Sequence, residues 1–310
     1  MPVLTDALNP ATRPTWNIER DSCQVGNIMI NRIVDLENIP FAAELIYPDS
    51  TPEIMEKIAG SLDEIHFGDT SSDLYLSFHS YLIRTANNTI LVDLCCGNDK
   101  HRPTRPHWHQ RSGPFLDNLA KAGVAPDDVD IVMCTHLHAD HVGWNTKLEN
   151  GTWVPTFPNA RYLFAEKEYN YWQALHDANP PEPVMYGSFE DSVLPVISSG
   201  QAEFVAGDHN VGSGVFLEPA YGHTPGNVMI HAEDNGRHAI LCGDAIHHPV
   251  QLIHPEWSTN FCSDQSESRA TRLALLANCA GTSTMLLPAH FQSPEYGTIE
   301  KDGDGYHLVR

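Results

Sequence analysis

The chain is poor in basic residues and has no long apolar segment. Its 310 residues include 18 Lys and Arg against 40 Asp and Glu, which gives a formal net charge of −22 at pH 7. A negative field repels polyphosphate, so we expect no nucleic acid as a partner. The sequence contains no run of about 18 apolar residues, so we also expect no membrane-spanning helix and no membrane partner.

We also expect neither a secretion signal nor a disulfide framework. The opening residues, MPVLTDALNP, lack the basic stretch and apolar run of a signal peptide. The cysteine count of seven is odd, and Cys134 and Cys242 stand in apolar runs. Buried, reduced thiols and a cytoplasmic location are therefore the expectation.

Short apolar runs alternate with segments of helical spacing, which predicts an α/β fold. We predict one domain over residues 1–310, with residues 1–22 as an irregular N-terminal arm. The pattern from Ser50 to Glu53 resembles a capping box and predicts a helix that ends near Ile65. Apolar runs that predict buried strands occur at 90–92, 131–134, 215–219, 239–242 and 285–287.

The strongest chemical signal is the heptapeptide THLHADH at 135–141, which follows one of these strands directly. His136 and His138 are two residues apart, so both side chains point the same way in extended backbone. A turn after them would bring Asp140 and His141 to an adjacent position. Three imidazoles and one carboxylate from so short a segment are typical ligands for divalent metal ions.

Other strand ends carry the same kinds of residue. His223 lies in a GHTPG segment, Asp244 follows the run 239–242, and His290 and Asp93 each stand just beyond an apolar run. Loops at the carboxyl ends of strands in an α/β sheet reach one common crevice. We therefore expect these side chains to meet at one site.

The set of residues resembles the metallo-β-lactamase superfamily in order, in spacing and in the GHTPG and GDA contexts. The resemblance covers about residues 73 to 291 and implies a four-layer αβ/βα sandwich with two mixed sheets flanked by helices. It implies two divalent ions, with zinc favoured by the imidazole-rich donors. The implied metal ligands are His136, His138 and His223 for one ion, Asp140, His141 and His290 for the other, and Asp244 as the bridge.

Three branches of the superfamily fit less well. Flavodiiron proteins carry Glu at the position of His138, and antibiotic-degrading enzymes lack the bridging Asp244. Glyoxalase II has a basic C-terminal platform, whereas residues 296–310 hold only Lys301 and Arg310 as basic residues. Asp93 resembles an aspartate that usually fixes the histidine loop without touching metal.

Among the remaining branches of the superfamily, the chain resembles the N-acyl homoserine lactonases and methyl parathion hydrolase. The resemblance implies a hydrolase that cleaves a carboxylic ester or lactone through a metal-bridging hydroxide, and it leaves a homodimer open. Asp140 and His247 are the catalytic candidates. Asp140 could orient the nucleophile or carry a proton, and His247 stands where the lactonases usually place a tyrosine. That departure keeps a phosphotriesterase as the alternative, and a single-iron sulfur dioxygenase as a further one. In every case the substrate is a small molecule.

Two features could shape the substrate pocket. Aromatic residues are frequent after the histidine motif and could line an apolar cleft, although packing in the core explains each of them as well. The segment from Lys100 to Arg111 is rich in basic residues and proline. It is either a solvated loop or a feature that attracts acidic or carbonyl-rich substrates. The aromatic candidates are Trp144, Trp153, Phe157, Tyr171 and Trp172.

Overall fold

The computed structural model describes residues 15–17, 21–178, 180–293 and 296–309 and contains 17 strands and eight α-helices within them. The strands are β1 Thr15–Asn17, β2 Ser22–Val25, β3 Ile28–Ala42, β4 Asp73–Arg84, β5 Thr89–Val92, β6 Ile131–Met133, β7 Thr146–Glu149, β8 Thr152–Pro155, β9 Arg161–Ala165, β10 Ala202–Val205, β11 Asn210–Gly212, β12 Val215–Pro219, β13 Val228–Asp234, β14 Arg237–Gly243, β15 Met285–Pro288, β16 Thr298–Asp302 and β17 Gly305–Val309.

The helices are α1 Ala43–Ile46, α2 Pro52–Ala59, α3 Phe115–Lys121, α4 Ala139–Val142, α5 Glu166–Asp177, α6 Leu194–Ser199, α7 Val250–Ile253 and α8 Gln265–Cys279. Among the described residues, none of these helices is both long and apolar enough to cross a membrane.

Two mixed sheets form the centre of the fold. The first has eight strands in the order β1-β2-β3-β4-β5-β6-β9-β10, antiparallel up to β5 and parallel from β5 to β10. The second has the order β11-β12-β13-β14-β15, with only its last pair parallel. The hairpins β7-β8 and β16-β17 stand outside them.

Apolar clusters between and outside the two sheets hold sheets and helices together as four layers. One apolar cluster lies between the sheets and joins Ile83 and Met133 to Leu241 and Leu287. A second covers the outer face of the first sheet with α3, α5 and α6, and a third packs α8 on the outer face of the second sheet. Strands covered on both faces must be apolar throughout, which is why β6 reads Ile-Val-Met. The α/β class predicted from the sequence is confirmed.

Two local predictions were wrong. Residues 15–17, expected within an irregular arm, form β1 and pair antiparallel with β2, while residues 1–14 and 18–20 lie outside the described residues. The helix expected to reach Ile65 ends at Ala59, and Glu64–His66 form a separate 3₁₀ turn. The N-cap of α2 is Thr51, whose hydroxyl accepts a hydrogen bond from the amide of Ile54. Pro52 then occupies the first turn of the helix, where its missing N–H costs nothing.

Candidate metal centre

All seven residues expected as ligands lie together at the carboxyl ends of the central strands. One group consists of His136, His138, His223 and Asp244, and the other of Asp140, His141 and His290. Within each group the donor atoms lie within 4.8 Å of one another, and six of the seven side chains are buried. The structure thus brings together every residue of the predicted set.

Asp244 lies between the two groups. Its Oδ2 atom is 3.2 Å from His223 Nε2 and 3.7 Å from His136 Nε2. Its Oδ1 atom is 3.0 Å from His290 Nε2 and 3.3 Å from His141 Nε2. Each oxygen of one carboxylate therefore faces a different set of imidazoles.

Neighbouring groups orient the imidazoles from behind. His290 donates from Nδ1 to the carbonyl of Ser77 over 2.8 Å, which leaves Nε2 facing Asp244. His136 Nδ1 lies 3.1 Å from Thr135 Oγ1, and His223 Nδ1 lies 3.6 Å from Cys262 Sγ. Contacts of this kind fix the orientation of a metal-binding imidazole ring and select its tautomer.

Asp93 fixes the start of the histidine loop. The amide of Thr135 donates to Asp93 Oδ1 over 2.7 Å, and its hydroxyl donates to Oδ2 over 2.8 Å. The same Oδ2 lies 3.0 Å from His141 Nδ1. Asp93 has a φ of 53°, a left-handed conformation that aspartate tolerates better than most residues. Its geometry is that of a residue that positions ligands.

Glu168 on α5 is a central residue of the site that the sequence analysis missed. Its Oε1 accepts from the amide of Leu137 and the indole of Trp172, and its Oε2 accepts from Thr224 Oγ1 and the amide of Gly226, over 2.6 to 3.0 Å. The side chain is 1% exposed. One buried carboxylate therefore ties the histidine loop to the GHTPG loop.

Gly226 permits this arrangement. A Cβ atom at that position would lie 2.2 Å from the backbone nitrogen of Glu168, which no side chain could avoid. Only glycine lets the turn approach α5 so closely. The spacing of Glu168 and Trp172, four residues apart on one helix face, is the signal in the sequence that could have revealed this contact.

The electrostatics of the centre depend on Asp244. Burial opposes ionisation of this carboxyl, but the surrounding His290, His141, His247 and His223 hold its pKa well below the usual value. Burial also disfavours the charged form of His141, yet Asp244, Asp93 and Asp140 together raise its pKa well above normal. The centre is built to hold positive charge.

Other imidazoles of the centre are kept neutral. Burial, reinforced by neighbouring imidazoles, lowers the pKa of His136 and His138 well below the ordinary value. Burial likewise lowers the pKa of His247 to about 4, although Asp244 opposes the shift. Neutral imidazole is the form that ligates metal.

A cluster of this kind fits divalent metal ions. In the part of the chain that the structure describes, both ring nitrogens of His141 and His247 and the Oδ1 atom of Asp244 are buried without a well-aligned hydrogen bond. Unsatisfied buried donors and acceptors cost free energy unless another partner supplies the missing bond. Imidazole nitrogens and carboxylate oxygens are donors that suit divalent transition metals, zinc among them.

A cavity of about 300 Å³ opens onto the centre. His138, Asp140, Asp244, His247 and His290 form its polar end. Of the five aromatic residues proposed from the sequence, only Trp172 lines it. Trp144 and Phe157 pack in the core under the first sheet, Tyr171 packs beside that core, and Trp153 lies on Lys100. The cavity walls are instead formed by residues from distant segments, among them Phe41, Leu45, Leu76, Phe78, Trp108 and Phe261.

The basic segment 100–111 is a loop with half of its residues exposed, but most of its cations are held in ion pairs within the protein. Lys100 and Arg102 are 0% and 1% exposed, and both pair with Asp191. Arg111 pairs with Asp35. Among the Lys and Arg residues of the segment, only Arg105 lines the cavity. The pairs are invisible in the sequence because their carboxylates lie about 75 to 90 residues away.

The chain belongs to the metallo-beta-lactamase superfamily, whose family model matches residues 78–290. The match spans the strands that precede the site residues and the candidate ligands themselves. The family expected from the motif set is therefore confirmed.

Curated relatives match only in part. A metallo-beta-lactamase domain-containing protein 1 of Xenopus laevis is 37% identical over 75 residues, 24% of this chain and 27% of the relative. A probable metallo-hydrolase of Methanocaldococcus jannaschii is 27% identical over 85 residues, 27% of this chain and 34% of the relative. The matched stretches thus span about a third or less of those relatives.

Solved structures match over nearly the whole chain. A hydrolase of the beta lactamase superfamily, AbOPH, gives a TM-score of 0.78 at 23% identity and covers 93% of this chain and 97% of its own. The dizinc quorum-quenching lactonase AidC gives 0.76 at 18% identity, covering 96% and 98%. At such identities the likeness establishes the fold.

Proposed function

We propose that this protein is a dinuclear zinc hydrolase that cleaves a carboxylic ester or lactone. One observation carries the proposal: the two carboxylate oxygens of Asp244 face two separate sets of histidines. A carboxylate in that position is suited to bridge two cations. AidC, described as a dizinc quorum-quenching lactonase, supports this activity because it shares the fold over almost the whole chain.

Metal ions held there would polarise the substrate carbonyl and activate water near neutral pH. The proposed ligands are those of the two clusters, with His136, His138 and His223 on one side of Asp244 and Asp140, His141 and His290 on the other. Asp93, Thr135 and Ser77 hold these imidazoles so that little reorganisation is needed when metal binds.

Asp140 and His247 are the two residues that we propose to act on substrate or water. Asp140 is the one partly exposed member of the ligand set and lines the cavity, so its carboxylate can orient a water or accept a proton. His247 lines the same cavity, with Nε2 3.1 Å from Asp244 Oδ2. A neutral imidazole there can donate one hydrogen bond to the leaving alkoxide.

The remaining walls suit an apolar substrate. The cavity has aromatic and aliphatic sides and a polar end at the metal centre, the usual composition of a small-molecule site. Trp108, Trp172 and Phe78 give this wall an aromatic character that would also accept an aryl leaving group, which favours a phosphotriesterase as the second candidate.

The free state of all seven cysteines, six of them buried, supports the proposed cytoplasmic location. We also propose that residues 1–310 form one domain, since both sheets contribute side chains to the same core cluster and to the same site.

Kinetics with two substrates test the proposal. The zinc-loaded protein is given a medium-chain acyl homoserine lactone and a dimethyl aryl phosphotriester, and kcat/KM is measured for each. We expect the lactone to be preferred by at least about tenfold. Preference for the phosphotriester would replace the first candidate with the second, and one bound iron with inertness to both would overturn hydrolysis in favour of a sulfur dioxygenase.

A further inference from the structure

The basic segment 100–111 treats its cations unequally. Arg102 forms two parallel hydrogen bonds to Asp191, over 2.7 and 2.8 Å, and Lys100 Nζ lies 3.5 Å from the same carboxylate. Arg111 donates to Asp35 over 2.6 Å. Each of these three cations thus has a carboxylate partner within the protein, with Asp191 shared between Lys100 and Arg102.

Arg105 is the exception. Within the described residues, no carboxylate lies within ion-pair distance of its guanidinium, and the side chain lines the cavity that contains Asp140 and Asp244. Its backbone is held in a turn, since its amide donates to the carbonyl of Arg102 over 2.8 Å and its carbonyl accepts from the amide of Trp108 over 2.9 Å. The fold therefore holds the backbone from which the Arg105 side chain extends.

Tyr186 supports the guanidinium from one side. The central carbon of the Arg105 guanidinium lies 4.6 Å from the centre of the Tyr186 ring, and its Nη2 donates to the Tyr186 hydroxyl. Tyr186 and the preceding Met185 have φ values of 60° and 44°, which cost free energy for residues other than glycine. In this conformation the Tyr186 ring lies against the guanidinium, and the Tyr186 hydroxyl accepts a hydrogen bond from one of its five N–H donors.

Arg105 is partly exposed, and its side chain forms part of the cavity wall. The cavity walls are largely apolar or aromatic. A cation in such surroundings is stabilised when an ion of opposite sign enters and forms hydrogen bonds with it. The net charge of −22 means that this local positive group is not part of a general attraction for anions.

We propose that Arg105 binds a free carboxylate of the substrate, so that the enzyme acts on esters or lactones whose apolar chain carries a second, anionic end. The inference rests on the proposed hydrolase function, because the metal centre is taken to hold the scissile group. Planar guanidinium matches carboxylate with two parallel bonds, and the aromatic walls between the two ends suit the chain that joins them.

Binding of simple acids tests this directly. Quenching of tryptophan fluorescence, reported by Trp108 and Trp172 in the cavity wall, gives the affinity of the zinc-loaded protein for glutarate, pimelate and azelate, and for pentanoate, heptanoate and nonanoate. We expect at least one diacid to bind about tenfold or more tightly than the monoacid of equal length. Three lengths are used so that the ligand that spans both ends is included.

Variants decide whether Arg105 is responsible. Arg105→Gln should reduce the diacid preference to about twofold or less, and Arg105→Lys, which keeps the charge without the planar fork, should retain part of it. The matched control is Arg269→Gln, which removes an exposed charge on α8 and should keep the full preference.

Two results would overturn the inference: no diacid preference at any length in the wild-type protein, or an undiminished preference in Arg105→Gln. Failure of the hydrolase proposal is recognised separately, since it shows as absence of turnover of neutral and anionic esters alike while the binding preference still reports on Arg105.

Discussion

Strand β14 has a histidine cluster at each end, and the two clusters differ in kind. Beyond its carboxyl end, Asp244 lies among imidazoles that converge on it from three other loops. Near its amino end, His238 lies in a line with His231 and Glu218 across neighbouring strands. Both clusters combine histidine with a carboxylate.

The difference is in how their nitrogens are satisfied. His231 Nδ1 lies 2.9 Å from His238 Nε2, His231 Nε2 lies 3.1 Å from Glu218, and His238 Nδ1 lies 3.1 Å from Thr284. In the linear cluster only His231 Nε2 lacks a well-aligned hydrogen bond, whereas in the convergent cluster both ring nitrogens of His141 and of His247 lack one. Histidine content alone does not mark a site; convergence at strand ends does.

The largest effect is expected for Asp244→Ala. Without the carboxylate, both imidazole sets lose their shared partner, so metal content should fall and kcat/KM should drop by at least about a thousandfold. Metal per chain and turnover are measured on the same preparation. Glu218→Ala, the matched change in the linear cluster, should keep full metal content, and normal turnover by Asp244→Ala would refute the bridging role.

Glu168→Gln should come next. The amide nitrogen cannot accept hydrogen bonds, so two of the four bonds that Glu168 accepts are lost in a buried position. We expect the free energy of unfolding to fall by about 3 kcal/mol and the zinc affinity by about tenfold. Denaturant unfolding and zinc titration measure these. Glu166→Gln, exposed on the same helix, is the control, and equal behaviour of the two variants would count against the tie.

His247→Phe separates catalysis from metal binding. The ring would still fill its place beside Asp244, but no hydrogen bond could reach a leaving group. We expect kcat to fall by about tenfold or more while metal content stays normal. Steady-state kinetics and metal analysis decide this, and an unchanged kcat would reduce His247 to a packing residue.

The smallest effect is expected for His238→Gln and concerns pH. Burial, with a contribution from His231, lowers the pKa of His238 to about 4, below its unfolded value near 6.5. The unfolded chain therefore binds the proton first, and the stability contributed by the neutral ring is present above about pH 6.5 and lost as the pH falls toward 4.

The stability difference between wild type and His238→Gln should accordingly shift by about 1 to 2 kcal/mol between pH 7.5 and pH 5, with the variant relatively more stable in acid. Urea unfolding at both pH values measures it. Turnover at pH 7.5 should be unaffected. A pH-independent difference would mean that the linear cluster does not resist protonation.

The fold class and the seven-residue set could be predicted because they are local patterns. An apolar run followed by His or Asp predicts a strand end with a polar side chain, and THLHADH supplies four members from one loop. What could not be predicted depends on contacts between distant segments. The bonds of Glu168, the pairing of Arg102 with Asp191, and the cavity walls from Phe41 and Phe261 join residues far apart in the chain.

The aromatic residues show the same limit from the other side. Trp144 and Trp172 both come after the histidine motif in the chain, yet Trp144 stacks on Phe115 in the core and Trp172 lines the cavity beside His138. The residue type is the same, so only the path of the folded chain shows which of the two lines the cavity.

Anomalous diffraction at the zinc edge, recorded from crystals of the zinc-loaded protein, tests the central claim most directly. We expect two peaks, one among His136, His138 and His223 and the other among Asp140, His141 and His290, with one oxygen of Asp244 toward each. A single peak at full occupancy, with the second group of residues left without metal, would contradict it.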